Sequence, residues 1–243
     1  MIRLFFASLY MFFLVLVVGP PFILHAYFTR DAGLLYRTGM GALMWLYRLL
    51  GIRIRVEGLE NIPPSVCVFM ANHTSNVDPP AIVHAIPRRI ALLAKKELFQ
   101  IPIVGAALTV ANIVPVDRKD RDAAVASVER AVAHLKAGVS FLVYPEGTRS
   151  RDGRLLPFKK GTFVMAIQAG VPIVPVSVAN AHRIMRKGKW AIHPGEIIVR
   201  FGRPIDASAY TIEQRSELLD VVHAAVAEGL PADQQPASGA EAA

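Results

Sequence analysis

Residues 66–86 read VCVFMANHTSNVDPPAIVHAI. Val66 to Ala71 are six apolar residues in a row, which predicts a short strand buried on both faces. Pro79 and Pro80 suit the first turn of a helix, where a missing N–H costs nothing, so a helix is predicted over about 79–86. Between the two lies a polar run, Asn72 to Asp78. Strand, polar turn and helix make the repeating unit of an α/β domain, and such domains gather their chemistry where strands end.

The same alternation runs outward from this unit. Further strands are predicted at 52–57, 90–94, 112–116, 139–144, 172–178 and 196–201. Helices are predicted at about 97–110, 121–137, 160–169 and 211–228. The pattern indicates an α/β fold with a mixed, largely parallel sheet flanked by helices over residues 51–229. The strand Val171-Pro172-Ile173-Val174-Pro175-Val176 carries two prolines, which suggests a sheet edge or a bulge. From Leu230 the sequence LPADQQPASGAEAA lacks aromatics, and 230–243 reads as a disordered tail.

The first 50 residues are of a different kind. Residues 4–28 carry no Asp, Glu, Lys or Arg, and 20 of the 25 are apolar; 34–50 add 12 of 17. These two stretches predict an N-terminal two-helix membrane segment over 1–50. The first is long enough to reach across a bilayer, yet Gly19-Pro20-Pro21 would end its helix near residue 18. Three readings stay open: a helix that spans, a helix that dips into one leaflet, and a signal peptide. In the second stretch Arg37 and Arg48, and likewise Tyr36 and Tyr47, recur at a spacing that places each pair on one helical face, as in an interfacial helix. The alternative is an amphipathic helix docked on its own domain. Arg30, Arg37 and Arg48 against a lone Arg3 would put the main domain on the cytoplasmic face of the cytoplasmic membrane.

Composition narrows the function. The chain of 243 residues holds 27 Lys and Arg against 19 Asp and Glu, a net charge of +8, with one cysteine. A lone Cys67 excludes a disulfide scaffold. High apolarity with excess positive charge suits a protein on an anionic lipid surface. A nucleic-acid binder is disfavoured, because the basic residues cluster in one region with few aromatics among them.

Two polar blocks carry candidate chemistry. In Asn72-His73-Thr74-Ser75-Asn76-Val77-Asp78, Asp78 is either a plain helix cap or the partner of His73 across a tight turn. A carboxylate on one ring nitrogen fixes the tautomer and leaves the other nitrogen to take a proton. In Tyr144-Pro145-Glu146-Gly147-Thr148-Arg149-Ser150, the turn precedes Arg151, Arg154, Lys159 and Lys160. Such a cation cluster can hold a phosphate, and so can plain solvated charges sit there. No His, Asp or Glu spacing fits a metal site.

Taken together, these blocks resemble the glycerophospholipid acyltransferase family, over about residues 50–205. NHTSNVDP is similar to its NHxxxxD block, IVPVDR (113–118) to its second, YPEGTRS to its FPEGTRS block and VPIVPV to its fourth. Tyr144 stands where the family usually has Phe, and Pro115 and Val116 where it more often has bulkier residues. The resemblance implies an acyltransferase that moves a fatty acyl group from an acyl thioester, acyl-CoA or acyl-ACP, to the sn-2 hydroxyl of lysophosphatidate (1-acyl-glycerol-3-phosphate) and makes phosphatidic acid. It implies no cofactor. His73 would be the general base and Asp78 its orienting partner. Arg118, Glu146, Gly147, Thr148 and Arg149 would hold the glycerol phosphate, with Asn72, Lys159 and Lys160 as further candidates. Backbone N–H groups near Gly147 would serve the oxyanion. The alternatives are an acyltransferase for another lysophospholipid or an acyl-amino-acid lipid, and a non-catalytic membrane lipid-binding protein.

Overall fold

The structure, a computed structural model, describes residues 2–111, 113–116, 121–189 and 191–237. Seven strands form one sheet: β1 (Ile52–Glu57), β2 (Val68–Ala71), β3 (Ala91–Lys95), β4 (Val114–Val116), β5 (Phe141–Val143), β6 (Ile173–Ala179) and β7 (Gly195–Phe201). Their order is β1-β7-β6-β2-β5-β3-β4, parallel throughout except where β6 meets β7. The helices are α1 (Ile2–Phe13), α2 (Gly19–Thr29), α3 (Gly33–Leu50), α4 (Asp78–Ala85), α5 (Val104–Val110), α6 (Arg121–Lys136), α7 (Gly161–Ala169), α8 (Ala181–Ile184) and α9 (Arg215–Glu228).

β2 shows why this is a layered domain. Side chains alternate across a strand, so Cys67, Phe69 and Ala71 enter one core with Leu46, Ile82 and Phe201. Val68 and Met70 enter the other, with Phe141, Phe163 and Val222. Both faces are covered by helices, as a largely parallel sheet requires. The continuous apolar run is thus two interleaved faces.

Four details differ from the sequence reading. First, Gly19-Pro20-Pro21 does not end the N-terminal helix. A π turn at Leu14–Val18 precedes the prolines, and Gly19 N–H reaches back to Leu14 O, the wider spacing of a π turn. The local rewinding carries the chain past two residues that lack donors, and Phe5–Thr29 forms one helix of 25 residues. It alone among the described residues is long and apolar enough to cross a membrane; α3 is not, so the two stretches are one such helix and not two. Second, β6 is neither an edge nor bulged. It lies third in the sheet and is buried along its whole length. Pro175 O accepts from Gly202 N–H just past the end of β7, so the ring nitrogen faces the flank where that ladder finishes. Third, the helix expected at 97–110 is broken: a 3₁₀ turn, Lys96–Gln100, and α5 are separated by Pro102 and by Ile103, which has φ +66°.

Fourth, residues 230–237 are folded onto the domain, although their composition suggested disorder. Leu230 and Gln234 are buried. Gln234 O accepts from Leu155 N–H, its Oε1 accepts from Asn180 N–H, and its Nε2 donates to Asn180 Oδ1. The rest of the expected tail, 238–243, lies outside the described residues.

The N-terminal helix and α3 form a hairpin that lies along the domain. Ala7 is buried in the core, Gly19 packs near Ile103 of the connection before α5, and Asp31 at the hairpin turn pairs with Arg89 at 3.2 Å. The other side of the helix is bare: Phe5, Phe12, Leu16, Leu24 and Phe28 are all exposed. Arg37 and Arg48 of α3 point to solvent. Tyr47 does not share that face, for it is buried in the core.

Candidate active site

β2 and β5 are adjacent and parallel, with Met70 opposite Val143. Their carboxyl ends therefore deliver both polar blocks to one place. The blocks are stitched together through the peptide of His73. Its N–H donates to Glu146 Oε1 at 2.9 Å, and its carbonyl accepts from Ser150 N–H at 2.8 Å.

Asp78 is fully buried, and its Oδ2 gathers three contacts: His73 Nδ1 at 2.9 Å, Thr74 N–H at 2.7 Å and Ser75 N–H at 2.8 Å. The carboxylate thus closes the turn behind it, and no side-chain cap is made at the start of α4. Tyr47 Oη donates to Val77 O at 2.8 Å, which pins the residue before Asp78 to α3. The imidazole of His73 stacks on the Tyr144 ring, 4.1 Å between centroids and 23° between planes. Its side chain is 13% exposed, so it is reached from outside while Asp78 is not. With Nδ1 held by Asp78, Nε2 is the nitrogen left for chemistry.

The other expected site residues divide into two groups. Asn72 is buried and structural: its Nδ2 donates to Val178 O at 3.0 Å and its Oδ1 accepts from Val178 N–H at 2.7 Å, which ties the end of β2 to β6. Glu146 is 2% exposed, so its carboxyl is enclosed by the protein. Burial, above all, pushes its pKa up to about 9; the neighbouring Asp78 adds to this, and the His73 and Leu156 N–H groups and Lys187 oppose it. Gly147 takes φ +69°, a left-handed turn position that favours glycine, and a Cβ there would press on the Lys159 side chain. Its N–H donates to Tyr144 O at 3.0 Å, so that amide serves the turn and not an oxyanion.

Thr148, Lys159 and Lys160 are exposed and Arg149 is half-buried. They lie on the loop and at the start of α7, on the same side as His73. Lys187 joins them from the β6–β7 connection: Nζ donates to Thr148 Oγ1 at 2.9 Å and to Arg149 O at 2.7 Å. Neither Lys187 nor Tyr47 was legible as part of the site, because each reaches it from a segment outside the four blocks. Arg118 lies outside the described residues. Among those described, no three His, Cys, Asp or Glu side chains converge as a metal would require.

An apolar cavity of about 480 Å³ lies between the N-terminal hairpin and the domain. Val15, Phe22, Gly39, Met40, Val83 and Leu92 help to line it, as do Pro79 and Pro80, the two residues after Asp78. Its size is within the range of small-molecule sites.

Comparison with known proteins identifies the family. The family model described as Acyltransferase matches residues 53–179. The chain belongs to the acyltransferase family. It is 34% identical over 197 residues to the 1-acyl-sn-glycerol-3-phosphate acyltransferase of Limnanthes douglasii, covering 81% of this chain and 69% of that one. It is also 34% identical over 182 residues to the human 1-acyl-sn-glycerol-3-phosphate acyltransferase alpha, 74% of this chain and 64% of the relative. Among solved structures, the 1-acyl-sn-glycerophosphate (LPA) acyltransferase PlsC of Thermotoga maritima superposes with a TM-score of 0.76 at 31% identity. The match covers 94% of this chain and 95% of that one.

Asn72 offers a direct check on the scaffold. Asn72→Ala leaves both Val178 backbone groups unpaired in a buried strand, so it should destabilise the protein by about 2–4 kcal/mol. Urea unfolding of the two proteins measures this, and a loss under 1 kcal/mol would contradict the structural role.

Proposed function

We propose that this acyltransferase moves a fatty acyl group from an acyl thioester, acyl-CoA or acyl-ACP, to the sn-2 hydroxyl of 1-acyl-glycerol-3-phosphate, giving phosphatidic acid. The observation that carries the reading is the His73 Nδ1–Asp78 Oδ2 contact of 2.9 Å, held beside a loop of cations. Nε2 of His73 takes the proton from the acceptor hydroxyl as its oxygen attacks the thioester carbonyl. The tetrahedral intermediate collapses by breaking the C–S bond, and His73 returns the proton to the departing sulfur. Asp78 orients the imidazole and stabilises the imidazolium between these steps. A thiolate leaves readily, so no acyl-enzyme is needed, and Cys67 is buried in the core.

The acceptor is a phosphate monoester, and charge-assisted contacts are the strong way to hold one. Arg149, with Lys159, Lys160 and Lys187 around the Gly147-Thr148 turn, supplies them; by family resemblance Arg118 adds another. The cavity behind Pro79 and Pro80 would take an acyl chain, since its wall starts one residue from Asp78.

The hairpin carries the protein on the membrane. A 25-residue helix is about 37 Å long and could span a bilayer. Yet it meets the domain at Ala7 and at Gly19, and the turn that follows it pairs with the domain through Asp31. A helix so docked would lie with its bare side, Phe5, Phe12 and Phe28, in one leaflet. The domain then rests on the cytoplasmic face, with Arg37 and Arg48 at anionic headgroups.

Two measurements test the reading. In an acceptor panel with labelled acyl-CoA and acyl-ACP, transfer should be fastest to lysophosphatidate and lost in His73→Ala; turnover by that variant would contradict the mechanism. A Cβ on Gly39 meets nothing within 4 Å, so Gly39→Leu should project into the cavity and shift the preferred donor to shorter chains. An unchanged chain-length profile would show that acyl chains bind elsewhere.

A further inference from the structure

We propose that Glu146 is a positioning residue that works as an uncharged carboxylic acid: it fixes the His73 peptide and does not bind the acceptor. The proposal rests on the reading of His73 as the base, and it assigns a different task to a residue whose place in the family block suggested a substrate ligand.

The geometry is specific. Oε1 of Glu146 accepts from His73 N–H at 2.9 Å, and the Leu156 N–H also bears on the carboxyl. The other backbone polar atom of the same residue, His73 O, is held by Ser150 N–H. One loop therefore grips both sides of the His73 backbone, and the Glu146 side chain supplies half of the grip. At 2% exposure its carboxyl has no face open to an acceptor.

Charge decides the protonation state. Oε2 of Glu146 is buried without a hydrogen-bond partner, and an unpaired negative charge there would be far costlier than a neutral hydroxyl. The groups that face it are unfavourable to an anion. Asp78 is already a buried carboxylate, committed to the imidazole; Tyr144 and, behind it, Tyr47 are buried phenols with raised pKa. His73 meets it through the backbone N–H. Lys187 is the cation that opposes the shift, and its ammonium is engaged by Thr148 and Arg149. A neutral Glu146 leaves Asp78 as the single anion beside the imidazole, which is what the imidazolium of the transfer step needs. It also keeps a second negative charge away from the acceptor phosphate.

The proton linkage gives this a sign. Glu146 titrates near 9 when folded and near 4.5 when unfolded, so the folded protein binds the extra proton between those values. Stability contributed in this way is complete below about pH 4.5 and is lost progressively as pH rises towards 9. Gln keeps the acceptor oxygen and the neutral charge, and has no such proton to lose.

The test compares Glu146→Gln and Glu146→Ala with the wild type. Glu146→Ala should lower kcat about 10²-fold, because the His73 peptide loses a fixed contact, with KM for lysophosphatidate little changed. Glu146→Gln should restore most of that kcat, and it should lack the alkaline fall near pH 9 that the wild type shows. A Gln variant as slow as the Ala variant, a tenfold rise in KM alone, or a retained alkaline fall would overturn the proposal. Thermal unfolding from pH 5 to pH 9 reads the same proton without any turnover: the wild type should lose Tm relative to Glu146→Gln as pH rises. A pH-independent Tm difference refutes the neutral acid even if the substrate proves to be another lipid.

Discussion

An imidazole that is to move a proton must be held still by something other than its own side chain, and at His73 that restraint is on the backbone. The peptide of His73 is bonded on its N–H side by Glu146 and on its carbonyl side by Ser150. Those partners arrive only because β5 lies beside β2, parallel and in register, so that two loops far apart in sequence end together. Asn72 locks the other flank to β6, and Tyr47 holds Val77 from α3. Asp78 then holds the ring of a residue whose backbone is already fixed. Most of the polar contacts in this region fix the loop, and few side chains remain to touch a substrate.

The same arrangement ties the site to the N-terminal hairpin. α3 does two things: its buried residues Leu46, Tyr47 and Leu50 belong to the domain core, and its other side packs on the long apolar helix. The hairpin is therefore continuous with the enzyme and is not a tether. The cavity lies in the seam between them, walled on one side by the hairpin and on the other by the residues after Asp78. On the proposed reading, a lipid substrate would move along this seam without crossing water.

Much of the fold was legible because its signals are local. All seven strands were read within a few residues: β2, β5 and β6, buried on both faces, show as short apolar runs, and half-buried β1 as an alternation of Ile and Arg. His73 and Asp78 were legible as a pair of candidates, and the turn between them decided which use of Asp78 applies. What was not legible depends on partners distant in sequence. Pro175 looked like an edge residue because the sequence does not show that β7 ends opposite it. Gln234 looked like part of a disordered tail because its neighbours are small and polar, while Asn180 and Leu155, which bind it, lie far away. The enclosure of Glu146 was not legible from its block, because burial is a property of the folded chain. The π turn before Pro20 has no sequence mark at all, and the prolines read as a helix end until the wider turn is seen.

On the proposed mechanism the chemistry turns on the pairing of Asp78 with His73, and the Asp78→Asn variant tests it most directly. Asn keeps the size of the side chain but removes the charge that supports the imidazolium. Acyl transfer to lysophosphatidate, measured as kcat on protein shown to be folded, should fall at least about 10²-fold. A folded Asp78→Asn protein that transfers acyl groups at close to the wild-type rate would contradict the account.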